Sequence, residues 1–532
     1  VDQVRNRTRS RRYAWASAGA VVAGVAAVVI TQAAAQGSPD TGTGAGKRSA
    51  ASASPVGGTW ISTKGGRLVY GRDAQGNRVP DYSYAGYEGG GVPLPKVATR
   101  VTVSAPGAGD ATAAIQAALD KASALPVGKD GVRGAVQLAP GSYHIAGQLH
   151  LDAGGVVLRG AGSGASGTTL VADTATARTL ITIGKKSSYT RVGDAEPVTD
   201  GYVPVGATGL TLAGTTGLKV GDEVVVERPT TQAWIDAIGM HGIFTPNWSL
   251  RFERKITAIK GRRITLDVPL TNALEKQYTR ATVYRYSFPR IDHVGIEDLS
   301  LDGRAMAAAP DYAKTFYNAA PWEFNAVQDS WIAGVTWRHF GGSGQTALGP
   351  QSRRISVLRT QALDMLTTDS SARSEAYLLQ GQQNLVQDCA VTATKVHAFT
   401  TYGRQAGPNS FVDCKATLVK DTYDAGGHQR WGSGTLYDNV TLDGSLLLVN
   451  NGTRGGGHGW SDANSTAYNC TTQSYMVQEP PTAHNWAIGC TGALQSGSDG
   501  QVQSPGHHTL PTSLYAQQLA DRGLSADAVT RR

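Results

Sequence analysis

Three segments in the last third of this 532-residue chain hold side chains that can move protons and grip anions. KVHAFTTYGRQAGPNS (395–410) carries Lys395, His397, Tyr402 and Arg404; KDTYDAGGHQRWGSG (420–434) carries Asp421, Asp424, His428, Arg430 and Trp431; GGGHGWSDAN (455–464) carries His458 and Trp460. Imidazole titrates near neutrality and serves as a general base, so His428 or His397 could remove a weakly acidic proton. Tyr402 is an alternative base or the acid for a leaving oxygen, and Lys395 is a further base where burial lowers its pKa. Arg430 and Arg404 suit bidentate capture of a carboxylate. Trp431 and Trp460 could stack on sugar faces, with His458 and Asp424 as further binding groups. One histidine alone is more often structural, but here three His-bearing segments follow one another, each with an aromatic or arginine neighbour.

Two other chemistries compete. Glycoside hydrolysis needs a pair of placed carboxylates in most families. Between residues 350 and 500 the only glutamates are Glu375 and Glu479, leaving Asp421, Asp424 and Glu375 as that alternative's residues. Abundant His and Arg beside few Glu favour elimination over hydrolysis. The third class is a non-catalytic binder of extracellular or cell-wall glycan. Neither G-x-x-x-x-G-K-[ST] nor H-E-x-x-H nor a C-x-x-C pair occurs in the sequence.

The elements that would position these groups form a repeat. Cys389, Cys414 and Cys470 end the phrases NLVQDCAVT, NSFVDCKAT and NSTAYNCTT; GTLYDNVTL places Asn439 between them, and NWAIGCTGA adds Cys490. The steps are 25, 25, 31 and 20 residues, and VGIEDLSLDG (294–303), AGVTWRHF (333–340) and RRISVLRTQAL (353–363) fit the phrase more loosely. Periods of about 20–50 residues mark stacked architectures, and alternation of apolar and polar residues marks strands. With Gly-rich turns in place of helices between phrases, the expectation is a parallel β-helix. Its register would stack Cys389, Cys414, Asn439, Cys470 and Cys490 as one column of small buried groups, in which a disulfide between neighbouring coils is sterically conceivable. Asp388, Asp413 and Asp438 would stack beside them, their repulsion relieved by turn hydrogen bonds or, as the alternative, by a bridging Ca2+.

Upstream, GDATAAIQAALDKA (109–122) spaces Ile115, Ala118 and Leu119 as a short amphipathic helix. GAVQLAPGSYHIAGQLHLDAGGVVLRGAGSGASGTTLVA (134–172) follows as short strands between Pro-Gly and Gly-Gly turns. This order of helix, "v-x-L-P-x-G-x-Y-x-i" and "v-x-L-x-G-x-G" resembles the pectate lyase superfamily over residues 95–175 and 290–495. The resemblance implies an all-β, right-handed parallel β-helix with an N-terminal capping helix, as in secreted bacterial polysaccharide-degrading enzymes. The Arg-centred motif of the calcium-dependent pectate lyases is not recognisable, so no catalytic residue is carried over. Joined to the histidine segments, the resemblance points to β-elimination of a uronate-containing polysaccharide.

The domain reading is a signal peptide at 1–35, a Gly/Ser/Ala linker at 36–57, cap and first coils at 58–204, and a small β insertion at 205–290. The main coils take 291–495, and a tail at 496–532 carries a helix with Leu514, Leu519 and Leu524. Trp234, Trp248, Met240 and His241 lie in the insertion, which could wall the site. Five arginines before residue 13, an apolar run from Ala14 to Ile30 and Ala33-Ala34-Ala35 form the signal pattern, with SRRYAW similar to a twin-arginine signal. The formal charge of +8 becomes +4 without that segment, and no basic run remains to bind nucleic acid. A secreted monomer with a polysaccharide partner and no lasting membrane association is expected. Gly at 66 residues and only 17% charged residues fit many short strands and turns and exclude a charged coiled coil.

Overall fold

The computed structural model describes residues 54–56, 58–246, 248–341, 347–367, 374–393, 395–419 and 424–526. The signal pattern, most of the linker and Asp421 fall outside the described residues. From Thr99 onward the chain winds through three ladders of parallel strands. The first runs from Thr99–Val103 through Arg353–Leu358, Ala406–Val412 and Gly432–Asp438 to Gln501–Gln503. The second runs from Gly141–Ile145 through Ala390–Thr392 and Lys415–Thr417 to Thr491–Leu494. The third includes Ala320–Phe324, Ser374–Leu379, Val396–Tyr402 and Asp424–Gln429. Parallel crossovers take the right-handed sense that strand twist imposes, and the architecture is the expected all-β parallel β-helix. Inward side chains from all three ladders form one continuous core. Helix Thr112–Ser123 closes its N-terminal end with buried Ile115, Ala118, Leu119 and Ala122.

Two columns differ from the sequence expectation by one residue. Gln387 pairs Val412, and Val412 pairs Asp438. The cysteine column therefore continues from Cys389 and Cys414 through Val440, not Asn439, to Cys470 and Cys490. All four thiols are buried and free. Beside it, Asp388 and Asp413 stack on Asn439, not on Asp438. These turn residues are left-handed, with φ of 54°, 52° and 54°, as are Asp298, Arg359, Asn469 and the equivalent Gly334 and Gly489. Asp, Asn and Gly tolerate that region best, which explains the column's composition. Asn439 Nδ2 donates to Asp413 Oδ1 at 3.1 Å, so an amide stands where a third carboxylate was expected. No metal-ligating group of three carboxylate, His or Cys side chains occurs among the described residues. Asn439→Val should cost about 1–2 kcal/mol by denaturant titration, since a β-branched residue is strained at this φ. Asn439→Gly, which keeps the backbone unstrained, should cost less.

Asp438 instead faces the tail. Its Oδ2 accepts from Ser513 Oγ at 2.7 Å and from Tyr515 N at 2.8 Å, anchoring helix Leu514–Asp521. That helix lies on the flank of the first ladder beside an N-terminal arm, residues 58–97, and both bury apolar side chains against Leu436, Tyr468 and Trp486. The arm therefore runs along the outside of the coils rather than extending the cap. Trp60 N donates to Gln503, Tyr82 Oη to Asn464 O and Tyr87 N to Ser356, so the arm traverses the stack from its last coils backward.

One pin of this arm is pH-sensitive. His484 contacts Asp73 Oδ2 through Nε2 at 2.9 Å and Glu479 Oε1 through Nδ1 at 2.5 Å. Burial opposes its charge, but the two carboxylates prevail and raise its pKa to about 9. A raised folded-state pKa stabilises the protonated form. The contribution, on the order of 3 kcal/mol, is full below the unfolded value of about 6.5 and lost as pH rises through about 9. Thermal midpoints should fall between pH 7 and 10 in the wild type and much less in His484→Gln.

Between Ile183 and Ile291 the coil is interrupted by an antiparallel six-stranded sheet, in the order 190–197, 282–287, 223–229, 249–260, 263–266 and 209–211. Thr190–Pro197 belongs to this sheet, so the insertion begins before residue 205. The insertion docks on the entry ends of two first-ladder strands, Ala406–Val412 and Gly432–Asp438, and on Trp431 just before the second. Arg254 Nη2 donates to Gly407 O at 2.9 Å, Ser433 Oγ to Thr271 O at 2.7 Å and Trp431 Nε1 to Asn272 Oδ1 at 2.8 Å.

Candidate functional site

The third ladder brings the histidine segments together. Glu375 and His397 are direct partners in adjacent strands. The next coil shifts register between Thr401 and Tyr402, which pair Gly427 and Gln429, so His428 occupies a bulge. Bulges re-aim side chains and recur beside active sites. His428 lies with its ring 5.1 Å from His397, 5.3 Å from Tyr402 and 4.7 Å from His458, centre to centre.

Each of two imidazoles faces a carboxylate through Nδ1. His397 Nδ1 bonds Asp424 Oδ1, and His428 Nδ1 stands 3.1 Å from Glu375 Oε1. At His397 the hydrogen-bonded carboxylate fixes the tautomer that presents the Nε2 lone pair, the arrangement a general base needs. His428 Nδ1 is buried near Glu375 without a hydrogen bond, so there the carboxylate acts by its charge alone. The His428 side chain is 13% exposed against 5% for His397, which makes His428 the more accessible of the two. Backbone contacts brace it: Asn451 Nδ2 donates to His428 O at 3.0 Å, and Gly427 N donates to Asp462 Oδ2 at 2.7 Å. Asp462 is fully buried, and its pKa is pushed up to about 7 by burial first and then by the charge of Asp424. Neither Asn451 nor Asp462 is among the site residues expected from the sequence.

At the adjoining turn, Arg404 and Arg430 share one aromatic ring from the insertion. Their guanidinium carbons lie 4.0 and 5.8 Å from the centre of Trp248, within cation–π range. Both are in the left-handed region, at φ 60° and 55°, a backbone that bulky residues adopt only where surroundings enforce it. Arg430 Nε is buried without a hydrogen-bond partner. Burial first, then the charges of Arg430 and Arg251, lowers the pKa of Arg404. Two positive charges thus gather at Trp248, on the turns that directly follow the strands bearing His397 and His428.

The expectation for Trp431 is corrected. It is fully buried, edge-on to Trp234 at 4.8 Å, and joins insertion to coil instead of meeting a sugar. Trp234 is likewise core, capped into helix Gln232–Ala237 by Thr231. Of the insertion's tryptophans it is Trp248 that reaches the arginines. Trp460 is half-buried against Met240. Lys395 occupies the left-handed turn before the His397 strand. Asp424 serves as the partner of His397, and Glu479 as that of His484. His241 is exposed, 3.4 Å from Asp236.

No family model matches the sequence, and no curated protein matches it. Among solved structures the chain is similar to the tailspike protein gp49 from Pseudomonas phage LKA1, at 14% identity over 75% of this chain and 70% of that one, TM-score 0.34. It is also similar to the Azotobacter vinelandii mannuronan C-5 epimerase AlgE6 A-module, at 13% over 76% and 97%, TM-score 0.31. A third is the Streptococcus pneumoniae surface protein and adhesin PfbA, at 8% over 76% and 89%, TM-score 0.32. The resemblance to the pectate lyase superfamily extends to a parallel β-helix architecture and no further. At such identities and TM-scores the function of this chain has to be read from its own side chains.

Proposed function

We propose that the chain is a secreted, polysaccharide-active enzyme that cleaves a uronate-containing glycan by β-elimination. One observation carries this reading: two arginines gathered on one tryptophan follow directly on the strands that bear His397 and His428, and both imidazoles turn Nδ1 towards a carboxylate. Arg404 and Arg430 would hold the uronate carboxylate, making the C5 proton acidic and stabilising the enolate-like intermediate. His428 Nε2 would take that proton. The electron pair forms the C4–C5 double bond as the C4–O bond breaks, and Tyr402 Oη would protonate the leaving oxygen.

Hydrolysis fits less well, because Glu375 and Asp424 are each engaged with a histidine and Asp421 lies outside the described residues. The reading is tested by incubating residues 36–532 with acidic and neutral polysaccharides, following ultraviolet absorbance of unsaturated uronate together with reducing ends. The two signals should rise in step on an acidic substrate. Reducing ends without absorbance would replace elimination by hydrolysis, and binding without either signal would leave a glycan-binding β-helix. Trp248→Ala should raise KM roughly 5-fold with kcat nearly unchanged, since it loosens the arginines that grip substrate and leaves the base in place.

A further inference from the structure

A cationic cleft apart from the histidine cluster contains none of that cluster's residues. It is a cleft of about 340 Å³ where the N-terminal arm crosses the insertion, walled by Arg72 and Arg78 from the arm and by Asp200, residues 202–204, 206–209 and Arg263 from the insertion. Three guanidiniums face one carboxylate there. Asp200 Oδ2 already accepts from Thr211 N at 2.6 Å. Arg78 lies over the Tyr70 ring at 4.7 Å and donates through Nη2 to Gly206 O at 3.1 Å, while its Nε is buried without a hydrogen-bond partner. Arg263 packs its side chain against Gly209, and Arg72 Nη1 donates to Gly76 O at 3.3 Å. The other acid near Arg78 is Asp81, whose Oδ1 is occupied by Ser83 N and Oγ.

The wall is fixed before any ligand arrives. Buried Asn77 accepts from Tyr202 Oη at 3.0 Å and from Val205 N at 2.9 Å, and donates through Nδ2 to Asp73 at 2.7 Å. The arm segment bearing Arg78 is thereby tied to the insertion strand bearing Tyr202. Preorganised arginines with unsatisfied donors are what planar or tetrahedral oxyanions bind.

We infer that this cleft is a second recognition site for an oxyanion carried on a sugar, the carboxylate of an acidic glycan chain. The identity of the carrier rests on the acidic-glycan reading above; the oxyanion does not. Arg72→Glu/Arg263→Glu, both exposed positions, tests it in the full chain by calorimetry at low salt. The probes are trigalacturonate, inorganic sulfate and inorganic phosphate, and Arg191→Glu, an exposed arginine outside the lining, is the control. Trigalacturonate should bind at two sites in the wild type, and the double variant should lose one of them, weakened about tenfold or more. The control should retain both, and the double variant should still form unsaturated product from short substrates. If the histidine site fails to bind, the stoichiometry still drops, from one to zero, so the two proposals fail separately. Equal losses in variant and control, or no binding lost in the variant, would overturn the inference. Sulfate or phosphate binding as tightly as the trimer would overturn the sugar carrier and leave a free-oxyanion site.

Discussion

His428→Ala should lower the rate of unsaturated-product formation by about 10²–10⁴-fold, the range for removing a positioned general base. The loss should fall on kcat rather than KM, because the arginines and Trp248 that would bind substrate are untouched. His397→Ala should cost less, since that ring is more enclosed and stands one coil behind. Glu375→Gln should lower kcat less than His428→Ala, since it removes the carboxylate 3.1 Å from His428 and leaves the imidazole in place. Steady-state kinetics across pH 5–9 separates these outcomes, with circular dichroism to confirm that each variant folds.

Glu253→Gln should destabilise the protein by about 3–5 kcal/mol, the cost of stranding buried charges. Glu253 receives Arg290 through two nitrogens at 2.5 and 2.7 Å and Tyr286 Oη at 2.6 Å, while Arg353 of the coil approaches within 3.8 Å. Burial alone would raise its pKa, yet Arg290 and Arg353 bring it down to about 2. A depressed carboxylate stabilises the ionised form, so the contribution is complete above its unfolded pKa of about 4.3 and lost as pH falls through about 2. Denaturant unfolding at pH 7 measures the loss. The double variant Glu253→Gln/Arg290→Gln should lie closer to wild type than the sum of the single losses, as expected for one buried network. Because this network docks the insertion that carries Trp248, the same variant should also weaken substrate binding.

The parallel coils were legible because strand alternation and a 20–31-residue period both survive in the sequence around the cysteines. Their register was legible only to within one residue. Strand Gly432–Asp438 is buried at every position, so no inside–outside parity fixed it, and Asp438-Asn439 offers two residues suited to one left-handed turn. The histidine surface followed from stacking three successive segments, but its carboxylates did not. Pairing Glu375 with His428 depends on the bulge at Thr401/Tyr402, which leaves no mark in local composition. Trp431 read as an exposed platform because its Gly-rich neighbours look like a loop; the long-range approach of Asn272 and Trp234 buries it. The arm at 58–97 was invisible for a related reason. Trp60, Val79, Tyr82 and Tyr87 have neither strand nor helix period, since an extended segment laid on a ladder takes its burial from what lies beneath.

The most direct measurement uses a uronate oligosaccharide deuterated at C5 and quantifies the label per bond cleaved. Proton abstraction by the histidine cluster predicts one deuterium lost to solvent for every new unsaturated end, with both signals abolished together in His428→Ala. Cleavage products that retain the full label at C5 would contradict the account and return the chemistry to the carboxylates.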